Sequence, residues 1–130
     1  MVTLADSSVW IDYFNGVESE QVEALDALGD SEGLLVGDLV LLEVLRGFRL
    51  DRDHAEAQAT MLMYPVVSLL GSRDAVVAAR RYRRLRKRGI TIRKIADVVI
   101  ASYCITNAVA LLYNDRDFDP FVDHFGLERA

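Results

Sequence analysis

Val2-Thr3-Leu4-Ala5-Asp6-Ser7-Ser8 is a short apolar run that stops abruptly at an acid and two hydroxyls. It reads as a buried strand running into a turn and then a helix near Ser8 to Phe14, which Asn15-Gly16 closes. The same grammar recurs along the chain. Glu18 to Leu28 spaces Val22, Leu25 and Leu28 at three-residue steps before Gly29, the pattern of an amphipathic helix with a natural stop. Leu34 to Val36 reads as a second strand, and Asp38 as the cap of a helix over Leu39 to Phe48. A helix over Asp53 to Met63 ends before Pro65, and Val66 to Leu70 supplies a third strand. Ser72 caps a long basic helix that runs to Arg88 and closes at Gly89. A last helix spans Lys94 to Ile105, ending near Asn107, ahead of a fourth strand at Val109 to Tyr113. Strands alternating with helices predict an α/β fold with a mostly parallel central sheet of four to five strands and helices on both faces.

The 130 residues are expected to form one domain, 1–130, large enough to bury a core without disulfide or zinc support. Hydrophobic residues make up 52% and charged residues 27%, which excludes a disordered or fibrous chain. The single cysteine, Cys104, excludes an internal disulfide and lies in an apolar run, so it is expected to be a buried residue in a reducing cytoplasm. No window approaches the roughly 18 uncharged residues of a membrane helix, and no membrane association is expected.

A net charge of −5 argues against coating nucleic acid by bulk electrostatics. The distribution is more informative. Ten of the 15 Lys and Arg residues fall between Arg73 and Lys94, whereas the first 45 positions hold none.

The isolated acids carry the functional reading. Glu43 is the only charge between Leu39 and Leu45, and Asp97 the only one between Ile95 and Asn107. Asp6 follows the first strand and Asp115 the fourth, so both are expected at the carboxyl edge of the sheet, where ligands of open parallel sheets bind. Helices that follow such strands start at that edge, which lets Glu43 and Asp97 lean inward. Crowded carboxylates in partly apolar surroundings raise one another's pKa unless a cation neutralises them. An all-oxygen donor set suits Mg²⁺ or Mn²⁺, and His54 and His124 form no ligand pair that would favour a softer metal. Such sites hydrolyse phosphodiesters.

Four short stretches together resemble the PIN-domain nucleases, and within them the VapC-type toxin branch of bacterial toxin–antitoxin modules. Asp6-Ser7-Ser8-Val9-Trp10 is similar to the family's opening motif, and Leu42-Glu43-Val44-Leu45-Arg46-Gly47 to its glutamate helix. Ile95-Ala96-Asp97-Val98-Val99-Ile100-Ala101 resembles its central aspartate helix, and Asn114-Asp115-Arg116-Asp117-Phe118-Asp119 its closing motif. The resemblance covers almost the whole chain. It implies a three-layer α/β/α sandwich, dependence on Mg²⁺ or Mn²⁺, cleavage of RNA such as tRNA or rRNA, inhibition by a cognate antitoxin, and homodimers. Position by position, it implies Asp6, Glu43, Asp97 and Asp115 as metal-binding acids, Asp117 as a further one, and Ser8 as a hydroxyl contacting a metal water or a phosphate. Asp119 ranks behind Asp115 and Asp117 for the tail position.

Plainer readings stand beside these. Glu43 reads equally as a partner of Arg46, Asp97 and Asp6 as helix-start residues, and the tail acids as a solvated turn. The run from Arg80 to Arg88 reads first as a solvated helix face, with RNA-backbone binding as its functional reading; Arg93 and Lys94 are better placed for a backbone contact beside the metal. Trp10, Tyr13 and Phe14 read as core or dimer contacts. A haloacid-dehalogenase-like phosphatase needs a second acid where Ser8 stands, and a receiver domain needs a lysine after Lys94, where there is none. The alternative function is a PIN-like module that binds RNA or a partner without cutting.

Overall fold

A computed structural model describes residues 2–130. The chain order is β1 (Thr3–Ala5), α1 (Ser7–Phe14), α2 (Glu20–Gly29), β2 (Leu34–Gly37), α3 (Asp38–Leu45), α4 (Asp51–Met61), β3 (Val66–Val67), α5 (Ser72–Lys87), α6 (Ile95–Asn107) and β4 (Ala110–Leu112). A short 3-10 turn at Arg116–Phe118 leads into α7 (Asp119–Phe125). The sheet has the order β3-β2-β1-β4 and every pairing is parallel, with Leu4 opposite both Leu35 and Leu111. This is the expected α/β sandwich, with four strands at its centre.

The adjacent strands β1 and β4 are buried along their whole length. Sheets covered on both faces read as unbroken apolar runs, which is what Leu111-Leu112 and Leu34-Leu35-Val36 supply. Helices add Trp10, Val40, Val44, Met61, Leu85, Ile100 and Phe121 to the core.

Caps set where the helices begin. Ser19 accepts from the Val22 amide at 3.1 Å to start α2, and Asp6 caps α1. Asp38 does not cap as expected. Gly37 takes the cap position, and the Asp38 carboxylate accepts from the amides of Leu39 (2.8 Å) and Leu69 (3.1 Å), tying α3 to the segment after β3. A Cβ on Gly37 would sit 2.5 Å from Leu69 Cδ1, so the close approach of Leu69 requires glycine there. Because Leu69 turns inward at that point, the third strand ends at Val67 and not at Leu70.

The basic helix α5 is not simply a solvated face. Arg81 lies against α6, where its Nη1 donates to Ser102 O and Oγ (both 2.7 Å) and to Thr106 Oγ1 (2.8 Å). Arg84 lies over the Phe125 ring and Arg88 meets His124 Nδ1 at 2.8 Å, so α5 also clasps α7. Beyond α7, residues 128–130 run beside β4, with Leu111 N donating to Glu128 O (2.8 Å) and Ala130 N to Leu111 O (2.9 Å). The otherwise open edge of β4 is thereby paired.

Candidate metal centre

The carboxyl ends of β1 and β4 lie side by side, since Asp6 N donates to Leu112 O at 2.9 Å. Asp6 therefore stands where β1 ends, and Asp115 two residues beyond Tyr113 on the neighbouring strand's exit. Asn114 fixes that exit to α1 by donating to Asp12 Oδ2 at 3.2 Å. Asp97 is the third residue of α6, and Glu43 the sixth of α3. Four distant stretches meet at one sheet edge.

Asp97, Asp115 and Asp117 each bring one carboxylate oxygen within 4.8 Å of the other two. The field of Asp6 reaches both Glu43 and Asp97, and those of Asp115 and Glu43 reach Asp97. Burial is the larger influence on each. It raises the Asp6 pKa against the hydrogen bonds of Ser8 and Ser7, and raises that of Glu43 together with Asp6. The Asp97 carboxyl, buried and facing Asp6, Asp115 and Glu43 with only Lys94 in opposition, is pushed up to about 7. The positive end of α6 would favour an ionised Asp97; desolvation and like charge outweigh it.

Two oxygens at this edge are left without partners. Glu43 Oε1 and Asp97 Oδ2 are both buried and accept no hydrogen bond among the described residues. An orphaned buried carboxylate oxygen costs the full desolvation of the group, so a helix-capping role accounts for neither acid. The donors are all oxygens and the charge is strongly negative, the chemistry that fits a hard divalent cation.

The other expected residues sort themselves around this cluster. Ser8 Oγ donates to Asp6 Oδ2 at 2.8 Å and so orients that carboxylate. Asp115 Oδ1 accepts from the Asp117 amide at 2.9 Å, which holds the tail turn in shape. Arg93 Nη2 lies 3.4 Å from Asp117 Oδ2 at the exposed rim, and Lys94 takes the cap position of α6. Asp119 stands apart: its Oδ1 accepts from the Tyr113 hydroxyl at 2.7 Å, and it begins α7. The Arg46 charge favours ionised Glu43, but only behind the Ser7 hydroxyl.

Ser7 is the residue the sequence reading missed. Its hydroxyl lies near enough to Glu43 to favour the ionised carboxylate, while Ser8 holds the hydrogen bond to Asp6. The run of two hydroxyls after Asp6 was the available signal.

Residues 3–121 match the PIN domain family. VapC ribonuclease Mb1587 of Mycobacterium bovis and ribonuclease VapC11 of Mycobacterium tuberculosis are each 28% identical to this chain over 129 residues, covering 98% of it and 96% of the relative. Two solved structures share the fold: VapBC2 of Rickettsia felis bound to a promoter DNA fragment (TM-score 0.76, 14% identity) and DNA-bound VapBC of Salmonella typhimurium (TM-score 0.74, 16% identity). In both cases the match covers 99% of this chain and 96% of the other.

Proposed function

Because the chain belongs to the PIN domain family, we propose that it is a metal-dependent endoribonuclease, the toxin of a toxin–antitoxin pair, whose Asp6, Glu43, Asp97, Asp115 and Asp117 hold Mg²⁺ or Mn²⁺. The observation that carries this reading is the pair of buried, unpartnered oxygens, Glu43 Oε1 and Asp97 Oδ2, at an edge crowded with three further carboxylates. A bound divalent cation supplies polarisation of a phosphoryl oxygen and a lowered pKa for attached water. Ser8 keeps the Asp6 carboxylate from rotating away from the cluster, and the Ser7 hydroxyl favours ionised Glu43. Arg93 and Lys94, exposed at the rim beside Asp97, hold the RNA backbone. Asp97, held at about 7 by burial and by Asp6, shares a proton near neutrality, and positive charge entering the site would favour its ionised form.

The names of the mycobacterial relatives support the ribonuclease and toxin roles, and the VapBC complexes support a cognate antitoxin protein as partner. tRNA or rRNA is the substrate class we assign, and residues 1–130 act as one nuclease domain. Exposed Leu42, Leu70 and Ile95, next to Glu43 and Asp97 in the sequence or on adjoining elements, favour a homodimer at that side. The buried lone Cys104, and the absence of any helix among the described residues long and apolar enough to cross a membrane, fit a cytoplasmic setting.

The test is cleavage of end-labelled tRNA and rRNA fragments with Mg²⁺ or Mn²⁺, against EDTA and against Asp97→Asn. Cutting that disappears in both controls is expected. RNA binding without cutting under every condition would replace the nuclease with a binding module.

A further inference from the structure

Three acids of the candidate metal centre stand on regular backbone: Asp6 links β1 directly to α1, Glu43 lies in α3 and Asp97 in α6. Asp115 and Asp117 are carried instead by a loop, residues 114–118, whose one regular piece is the short 3-10 turn at Arg116–Phe118. That loop is the compliant wall of the site. Asp97, Asp115 and Asp117 bring oxygens within 4.8 Å of one another, so without a cation their like charges push apart, and the displacement falls on the wall that yields most easily. A cation arriving at a splayed loop has to draw it back, at the expense of affinity.

Two side chains outside the cluster close this loop across its stem. Tyr113 follows β4 and Asp119 begins α7, and the Tyr113 hydroxyl donates to Asp119 Oδ1 at 2.7 Å, the length of a bond to an ionised carboxylate. Tyr113 is only 1% exposed, and a buried phenol needs a partner; Asp119 is the one it has. The ring is itself held in place, with the Phe118 ring centroid 5.1 Å away and the guanidinium carbon of Arg129 4.3 Å from its centroid. Asn114 adds a second tether, donating to Asp12 Oδ2 on α1 at 3.2 Å. The clasp also fixes where the Asp119 carboxylate goes: it meets the phenol and is absent from the oxygens gathered around Asp97.

We propose that Tyr113 and Asp119 are positioning residues for the metal: their hydrogen bond closes the 114–118 loop and holds the Asp115 and Asp117 carboxylates at the spacing a hard divalent cation takes. The proposal rests on the metal-dependent reading above and gives a role to two residues outside the ligand set. Removing a group that orients metal ligands without touching the metal costs about 10–100-fold in affinity, and a clasp that acts through loop backbone belongs at the lower end, about tenfold.

The probe is Mn²⁺ titrated into the RNA-free protein, with the free ion followed by its electron paramagnetic resonance signal, so the readout is binding and not cleavage. Tyr113→Phe keeps the buried ring and deletes the clasp, whereas Asp119→Asn keeps an acceptor oxygen for the phenol and deletes the charge. We expect Tyr113→Phe to bind Mn²⁺ about tenfold more weakly than the parent, and Asp119→Asn to stay within about threefold of it. Asp119→Ala breaks the same bond from outside the core, so it should match Tyr113→Phe and guards against a folding defect in that variant. In RNA cleavage by Tyr113→Phe, the Mn²⁺ concentration at half-maximal rate should rise by the same factor while the rate at saturating Mn²⁺ is kept, a split that loss of folded protein does not produce. Equal binding by the parent, Tyr113→Phe and Asp119→Ala overturns the proposal. So does Asp119→Asn losing as much as Tyr113→Phe or more, which makes Asp119 a ligand or a source of field and not a clasp. A parent that binds no Mn²⁺ overturns the metal reading and this proposal with it, whereas a parent that binds Mn²⁺ and cuts no RNA refutes the nuclease alone, and the binding comparison still decides the clasp.

Discussion

Replacing Asp97 by asparagine removes a charge from the cluster while keeping the shape of the side chain. In the metal-free protein this substitution should stabilise. Moving an acid from its ordinary 3.8 to about 7 costs the ionised folded state about 4 kcal/mol. Water at the open rim of the site screens part of that, so about 2 kcal/mol is the working figure. The direction with pH follows from proton counts. Between pH about 4 and about 7 the folded chain keeps a proton that the unfolded chain has released, so stability falls as pH rises through that window and reaches its low plateau above it. Asp97→Asn has no such loss. At pH 8 in EDTA the variant should therefore melt roughly 8 °C above the parent, at about 4 °C per kcal/mol for a chain of this size, and the gap should close towards pH 4. Excess Mg²⁺ should raise the parent's melting temperature at pH 8 by mass action and leave the variant nearly unmoved. Melting followed by far-ultraviolet circular dichroism from pH 4 to 9, with and without Mg²⁺, reads all of this. A variant less stable than the parent at pH 8, or a gap independent of pH, would refute the account of Asp97 as a carboxyl held under electrostatic strain.

Three other outcomes are expected. Arg81→Lys should cost about 2 kcal/mol in urea unfolding, because the lysine nitrogen stops one bond short of the Nη1 position that meets Ser102 O, Ser102 Oγ and Thr106 Oγ1; a neutral result would mean that α5 and α6 are held by apolar contact alone. Ala108 closes α6 in the left-handed region at φ 54, so Ala108→Gly should raise stability by roughly 0.5–1 kcal/mol, and a loss of stability would contradict that reading of the cap. Burial, with a smaller push from Asp6, raises the Cys104 thiol to about 12, so at pH 8 a thiol reagent should modify it only as fast as the chain unfolds; rapid labelling of the folded protein would show that α6 opens locally.

Much of this molecule was readable from one sequence because its signals are local. Gly29 and Gly89 lie at helix ends, and Asn15 closes α1, as their short-range chemistry dictates. Glu43 and Asp97 of the acidic cluster stood out because a lone charge inside Leu39–Leu45 or Ile95–Asn107 demands a reason to be buried. What escaped depends on contacts across the fold. The Asp38 carboxylate is diverted to Leu69, 31 residues away, and that contact shortens the third strand. Arg81 looks like its neighbours in the basic run, and only the rotational setting of α5 on α6 turns it inward. That the Ser8 hydroxyl is the one that meets Asp6 likewise follows from the phase of α1. The helix α7 was overlooked although Pro120 in its first turn and Gly126 at its end, with φ 70, are local marks of a helix.

The acids of the candidate metal centre are spread along the chain in an order that matters during translation. Asp6, Glu43 and Asp97 leave the ribosome well before Asp115 and Asp117, which emerge only after β4 has been made. A nascent chain can thus pair β1 with β2 and fold their helices while still lacking the turn that completes the cluster. On the reading proposed above, a growing polypeptide is an inert scaffold tethered beside the very RNA it would attack, and becomes a cutter only once synthesis has passed that turn.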